Sequence, residues 1–179
     1  SDLLVFGRRA GRYAAEYAAK QPAIPAVNAD EVAAATSTML RPFTAGGGES
    51  PYKIHAELQD TMQDLVGIIR TESELKEALR RLETYEERLT KVSVPGDRAY
   101  NPGWNLALDL HSMLEVSEAC AISALQRQES RGGHTRDDFP KPDAAWGKKN
   151  IVTSKRGGSL VQRTDPLPEP PAELKKLLE

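Results

Sequence analysis

Between Ser50 and Arg127 three apolar stripes follow one another at helical spacing, each opened by a capping signal, and this succession leaves the chain few ways to fold. Ser50-Pro51 supplies an N-cap with proline at the first helical position, and Ile54, Leu58, Met62, Leu65 and Ile69 then recur every three to four residues. Thr71 with Glu74 forms a capping box. Leu75, Leu79, Leu82, Tyr85 and Leu89 repeat the spacing behind it, until Pro95-Gly96 turns the chain. Asn101-Pro102 opens a third helix whose apolar face runs through Leu106, Leu110, Met113, Leu114, Cys120, Ala121 and Leu125. A helix with one apolar face must bury it against another element. Three such helices joined by short or moderate loops predict an antiparallel up-and-down bundle in a mainly α fold.

The flanks read differently. Asp2 to about Lys20 has helical character, favoured by Ala14, Ala15, Ala18 and Ala19, and Gln21-Pro22 stops it. Gly7 and Gly11 lie one turn apart on this helix, so one of its stripes lacks Cβ and lets another backbone approach. With Leu3, Leu4, Val5 and Phe6 beside them, they read as a packing surface whose partner lies elsewhere. Asn28 with Glu31 predicts a shorter capped helix to about Arg41, and Gly46-Gly47-Gly48 predicts a flexible hinge over Thr44 to Glu49. Beyond the bundle, Gly157-Gly158 between two short runs predicts a β-hairpin. Pro166, Pro168, Pro170 and Pro171 then predict an extended tail, with a last helical turn or two from Ala172 to Glu179. The expected segments are thus 1–21, 22–49, 50–131 and 132–179.

Composition narrows the chemistry. A net charge of −2 argues against a nucleic-acid surface, and the one compact basic cluster, Arg8, Arg9 and Arg12, reads as a solvated helix face. One cysteine excludes an internal disulfide, and Cys120, set among alanines, reads as a small core residue. His55, His111 and His134 are too dispersed for a metal signature, and no apolar run approaches the roughly 20 residues that span a bilayer. The acidic residues Glu72 to Glu87 alternate with Lys76, Arg80, Arg81 and Arg88, as on a solvated helix face.

The remaining constellation is Glu129-Ser130-Arg131-Gly132-Gly133-His134-Thr135-Arg136-Asp137-Asp138-Phe139-Pro140. Arg131 and Arg136 have the forked geometry to hold a dicarboxylate, and His134 titrates near neutrality. The same residues suit a structural task at a sharp helix exit, where Arg and His satisfy terminal carbonyls and Asp137 and Asp138 balance their charge.

Together, DLLVFGRRAG at the start, NPGWNLALDL at the third helix and ESRGGHTRDDFP behind it resemble the C-terminal third of the flavoprotein subunit of succinate dehydrogenase and fumarate reductase. The resemblance implies a spectrin-repeat-like bundle preceded by a helix left from the end of the flavin-binding domain, and a parent that exchanges electrons between a dicarboxylate and quinone. It also implies that the family's covalently attached FAD and its substrate-binding His and Arg residues belong to a part preceding Ser1. No catalytic, cofactor-binding or metal position is therefore assigned to this chain, and Gly7, Gly11, Arg131, His134 and Arg136 stand as structural or interface candidates. The implied partners are the flavin-binding part of the same subunit and the iron-sulfur and membrane-anchor subunits. The implied place is the inner face of a bacterial cell membrane, peripheral, without insertion and without nucleic acid. The alternatives are a free-standing helical interaction module and the C-terminal domain of an L-aspartate oxidase, whose ESRG-type motif is similar.

Overall fold

In the computed structural model, which describes residues 1–175, helices α1 (Asp2–Ala19) and α2 (Ala29–Thr44) precede α3 (Pro51–Leu65), α4 (Glu72–Leu89) and α5 (Pro102–Gln126). The starts of α4 and α5 are written in their caps. Thr71 Oγ1 accepts from the backbone N–H of Glu74 at 3.4 Å while Glu74 Oε2 accepts from the N–H of Thr71 at 2.9 Å. Asn101 Oδ1 accepts from the N–H of Trp104 at 3.0 Å.

The three helices bury their stripes in one another as an up-and-down bundle. Ile54 and Leu58 from α3 meet Leu75, Ala78, Leu82, Tyr85 and Leu89 from α4, and Ala107, Leu110, Leu114, Ala121 and Ala124 from α5. Thr61 is buried among them and is satisfied by a 2.8 Å hydrogen bond to the Tyr85 hydroxyl.

Two expectations fail here. Ile69 does not continue the α3 stripe, because the helix ends at Leu65 and Gly67 lets the chain turn where a Cβ would press on the Gln63 carbonyl. Ile69 lies instead in strand β1 (Ile69–Arg70), parallel to β2 (Thr135–Arg136). Cys120 is exposed rather than in the core, since the buried positions of α5 fall at 107, 110, 114, 117, 121 and 124, one step round from it.

The chain divides into two compact units, Ser1–Thr38 and one that starts at Met39. The division falls inside α2, where Pro42 has no N–H to offer the carbonyl of Thr38. It does not fall at the glycine run. There Glu49 donates its N–H to the Lys91 carbonyl and accepts from Ser93, and a Cβ at Gly48 would collide with the Lys91 carbonyl. The close approach of two backbones, rather than hinge motion, accounts for Gly48.

In the first unit every residue is exposed, and Leu3 is 91% exposed. Gly7 and Gly11 face open space on α1. In the second unit Trp104 anchors the end of α2, with its indole N–H 2.7 Å from the Met39 carbonyl and its ring edge-on to Phe43.

After the bundle come β3 (Lys149–Arg156) and β4 (Ser159–Pro166), an antiparallel hairpin turned by Gly157 at φ 57° and Gly158 at φ 89°. Both glycines lie in the left-handed region that such a two-residue turn needs. A short helix, α6 (Ala172–Lys175), follows, and the rest of the expected terminal helix lies outside the described residues.

Candidate functional site

The chain leaves α5 into an extended segment, where successive side chains alternate in direction. Arg127, Glu129 and Arg131 consequently fall on one side, and the Glu129 carboxylate, fully removed from solvent, is clamped between the two guanidinium groups. Arg127 Nε donates to Glu129 Oε1 at 2.8 Å, Arg131 Nε reaches both oxygens at 3.1 Å, and the backbone N–H of Asp143 donates to Oε2 at 2.9 Å. Burial pushes this carboxyl's pKa up, but the bonds from Arg131, Asp143 and Arg127 prevail and hold it at about 2.

Arg131 closes a tight turn on itself. Its N–H donates to the His134 carbonyl at 2.8 Å and its carbonyl accepts from His134 at 3.1 Å, with Gly132 at φ 60° between them. Its Nη2 also donates to the Asp143 carbonyl at 3.0 Å.

Among the described residues Arg136 is the most deeply placed cation, with no exposed surface. Nη1 donates to the carbonyls of Ala124 and Leu125 at 2.8 and 3.0 Å, so this side chain satisfies the end of α5 and sits at the negative pole of its dipole. Nε and Nη2 grip the two Asp138 oxygens at 2.7 Å each, and the guanidinium lies over the Phe139 ring. The bonds from Arg136 hold the Asp138 pKa at about 2, outweighing the effect of burial. Asp138 Oδ2 also accepts from the N–H of Glu72, the first residue of α4. One Arg–Asp pair thereby joins the end of α5 to the start of α4.

His134 bridges to the turn after α3. Its Nε2 lies 3.0 Å from the Arg127 carbonyl, which can only accept, and its Nδ1 lies 2.8 Å from Arg70 Nη1, which can only donate. These partners fix the neutral, Nε2-protonated imidazole. Burial keeps its pKa below the usual value; the bond to the Arg127 carbonyl is the next largest effect and pulls the other way, and the neighbouring cations Arg70, Arg127 and Arg136 add to the lowering.

The structure therefore brings Arg131, His134 and Arg136 together, while Gly7 and Gly11 lie on α1 in the first unit. Sequence reasoning missed Glu129 and Arg70. The signal for Glu129 was present, since an acidic residue with arginines two positions to either side in an extended segment shares a face with both. Arg70 carried no comparable local signal.

Chemically, the assembly is a set of charge-assisted bonds turned largely inward. All three guanidinium nitrogens of Arg136, and Nε and Nη2 of Arg131, are committed to Glu129, Asp138 and main-chain carbonyls. Arg131→Ala is expected to lower stability by about 1–3 kcal/mol, because it strips donors from a buried carboxylate. In a parent enzyme, turnover per folded molecule should stay close to normal. Urea unfolding beside kcat/KM on the folded fraction checks both, and a large kinetic loss at unchanged stability would show that Arg131 clamps substrate.

The family model described as "Fumarate reductase flavoprotein C-term" matches residues 55–168. The chain is 34% identical over 164 residues to a succinate dehydrogenase flavoprotein subunit of Coxiella burnetii, covering 90% of this chain and 28% of that protein. It is 36% identical over 149 residues to a fumarate reductase flavoprotein subunit of Mycobacterium tuberculosis, covering 79% and 26%. Among solved structures, Sdh1 of Mycobacterium smegmatis in complex with UQ1 superposes with a TM-score of 0.89 at 50% identity, over 94% of this chain and 29% of that one. The chain thus spans under a third of the length of these relatives.

Proposed function

The chain belongs to the fumarate reductase flavoprotein C-terminal family, and from that premise we propose that it buttresses the flavin-binding part of a subunit that oxidises succinate or reduces fumarate. It is the C-terminal domain of a flavoprotein of this oxidoreductase family, and the family implies FAD in the parent. In the proposed enzyme two electrons pass between the dicarboxylate and quinone through FAD and iron-sulfur centres carried elsewhere. The proposed contacts are the upstream part of the same subunit and, through it, an iron-sulfur subunit and membrane anchors. No helix among the described residues is long and apolar enough to cross a membrane, and we place the chain peripherally, on the inner face of the cell membrane.

The carrying observation is that, in the motif most suggestive of a dicarboxylate clamp, the Arg136 guanidinium is fully engaged by its own neighbours and Arg131 is turned to the buried Glu129. Arg136 is spent on the end of α5 and on Asp138, and Arg131 on Glu129 and the Asp143 carbonyl. The residues present do not fit a flavin either. The Gly132-Gly133 turn is closed by the Arg131–His134 bonds rather than open to a phosphate, and the described strands form only two two-stranded pairs. No catalytic step is routed through this chain. Unit Ser1–Thr38, exposed throughout with Leu3 to Phe6 in succession, supports a docking role for α1.

The expected result is a chain that, purified by itself, carries no flavin absorbance and reduces no artificial electron acceptor with succinate. The product of its full reading frame should do both. A flavin band that stays with this chain alone through denaturation and gel filtration would overturn the assignment.

A further inference from the structure

Five arginines among the described residues are buried or half-buried, at positions 70, 81, 88, 127 and 136. Four of them have a carboxylate: Arg81 has Glu77, Arg88 has Glu49 and Glu57, Arg127 has Glu129, and Arg136 has Asp138. Arg70 has none among the described residues. Its Nε is shared between the carbonyls of Val66 and Gly67 at 2.7 and 2.6 Å, and Nη1 donates to His134. Those hydrogen bonds are all to neutral groups; burial disfavours its charge most, the nearby Cys120 works the other way, and Arg136 disfavours it further.

A guanidinium carries five donors in a fixed fork. With Nε and one Nη1 hydrogen engaged, the other Nη1 hydrogen and both on Nη2 remain for a planar acceptor. The imidazole of His134 holds the fork in place. Beside it stand the two large aliphatic residues before Arg70 in sequence, Ile68 at 75% and Ile69 at 59% exposure. An uncompensated, preoriented cation edged by exposed aliphatics is the composition of an interface centre awaiting its counter-charge. The relatives matched are more than three times as long as this chain.

We propose that the Ile68-Ile69-Arg70 surface is where this domain receives the rest of its own subunit, and that Arg70 pairs there with an Asp or Glu carboxylate from that part. This rests on the functional reading above and adds the position and chemistry of one contact. The fork favours a carboxylate, which matches it in two parallel bonds.

The test uses the full-length subunit carrying Arg70→Lys, which keeps the charge and adds an amine that a carbodiimide can couple to a carboxylate in contact. Mass spectrometry of the digest should give an isopeptide between position 70 and an Asp or Glu lying outside this chain in the same polypeptide. The unsubstituted subunit, whose guanidinium does not couple, should give no such link at position 70. A link only to this chain's own carboxylates, a link to a second copy, or no link at all would overturn the proposal. Flavin content and succinate-dependent turnover of the unsubstituted subunit are read in parallel. If both are present and the link is missing, the surface assignment alone fails; if both are absent, the functional reading fails and takes the proposed partner with it.

Discussion

Arg136→Ala is expected to lower the free energy of unfolding by about 3–5 kcal/mol, the cost of removing the fully buried partner of an ion pair whose carboxylate is partly exposed. The loss has three parts that coincide at one side chain. The carbonyls of Ala124 and Leu125 lose their donor at the end of α5, Asp138 is left charged against the start of α4, and the ring of Phe139 loses its cation. Arg136→Lys should recover only part of this, since a single ammonium cannot fork the carboxylate and reach the carbonyls together. Urea unfolding followed by the fluorescence of Trp104 and Trp146 measures the effect. A shift below about 0.5 kcal/mol would mean that the pair contributes no more than an exposed one.

Glu129→Ala should cost a similar amount, about 3–5 kcal/mol, by the opposite defect. Arg127 and Arg131 would face one another without the anion between them, and the N–H of Asp143 would lose its acceptor. The pH dependence separates this mechanism from a packing loss. The Glu129 carboxyl titrates at about 2 in the folded chain against 4.5 as a reference. Between those values the unfolded chain holds the extra proton, so stability is complete above pH 4.5 and falls as the pH drops towards 2. Asp138, also held at about 2, adds to the same slope. Denaturation midpoints measured from pH 6 to pH 2 should therefore decline for the natural chain and decline less steeply for Glu129→Ala. Equal slopes would show that Glu129 is not the titrating anchor.

What could be read from the sequence was what is local. The caps at Thr71 and Asn101 and the three stripes depend on residues within a turn or two of one another, and the hairpin depends on Gly157-Gly158 alone. The errors came where distant chain decides. Ile69 continues the α3 spacing in sequence, yet its strand exists because β2 arrives from the far side of α5. Gly46 to Gly48 read as a hinge until the Lys91 carbonyl is seen to occupy the space of a side chain at Gly48. Cys120 failed for another reason: α5 is apolar on more than one side, so spacing alone did not say which stripe faces inward. In the charged motif, residue types suggested the task of Arg136 at the helix end, whereas the lone charge of Arg70 among the described residues emerges only once every other buried or half-buried arginine has been matched to its carboxylate.

The bond between Glu72 and Asp138 spans 66 positions. Closing so wide a loop costs chain entropy before any contact repays it, so these links are expected to form after the barrier to folding has been crossed. Their energy then acts mainly on the way out. Arg136→Ala, followed by stopped-flow, should raise the unfolding rate while hardly slowing refolding, and a slowed refolding arm would contradict this order of events. The arginine at the end of α5 is then a latch in time, setting how long the folded domain persists rather than how quickly it is found.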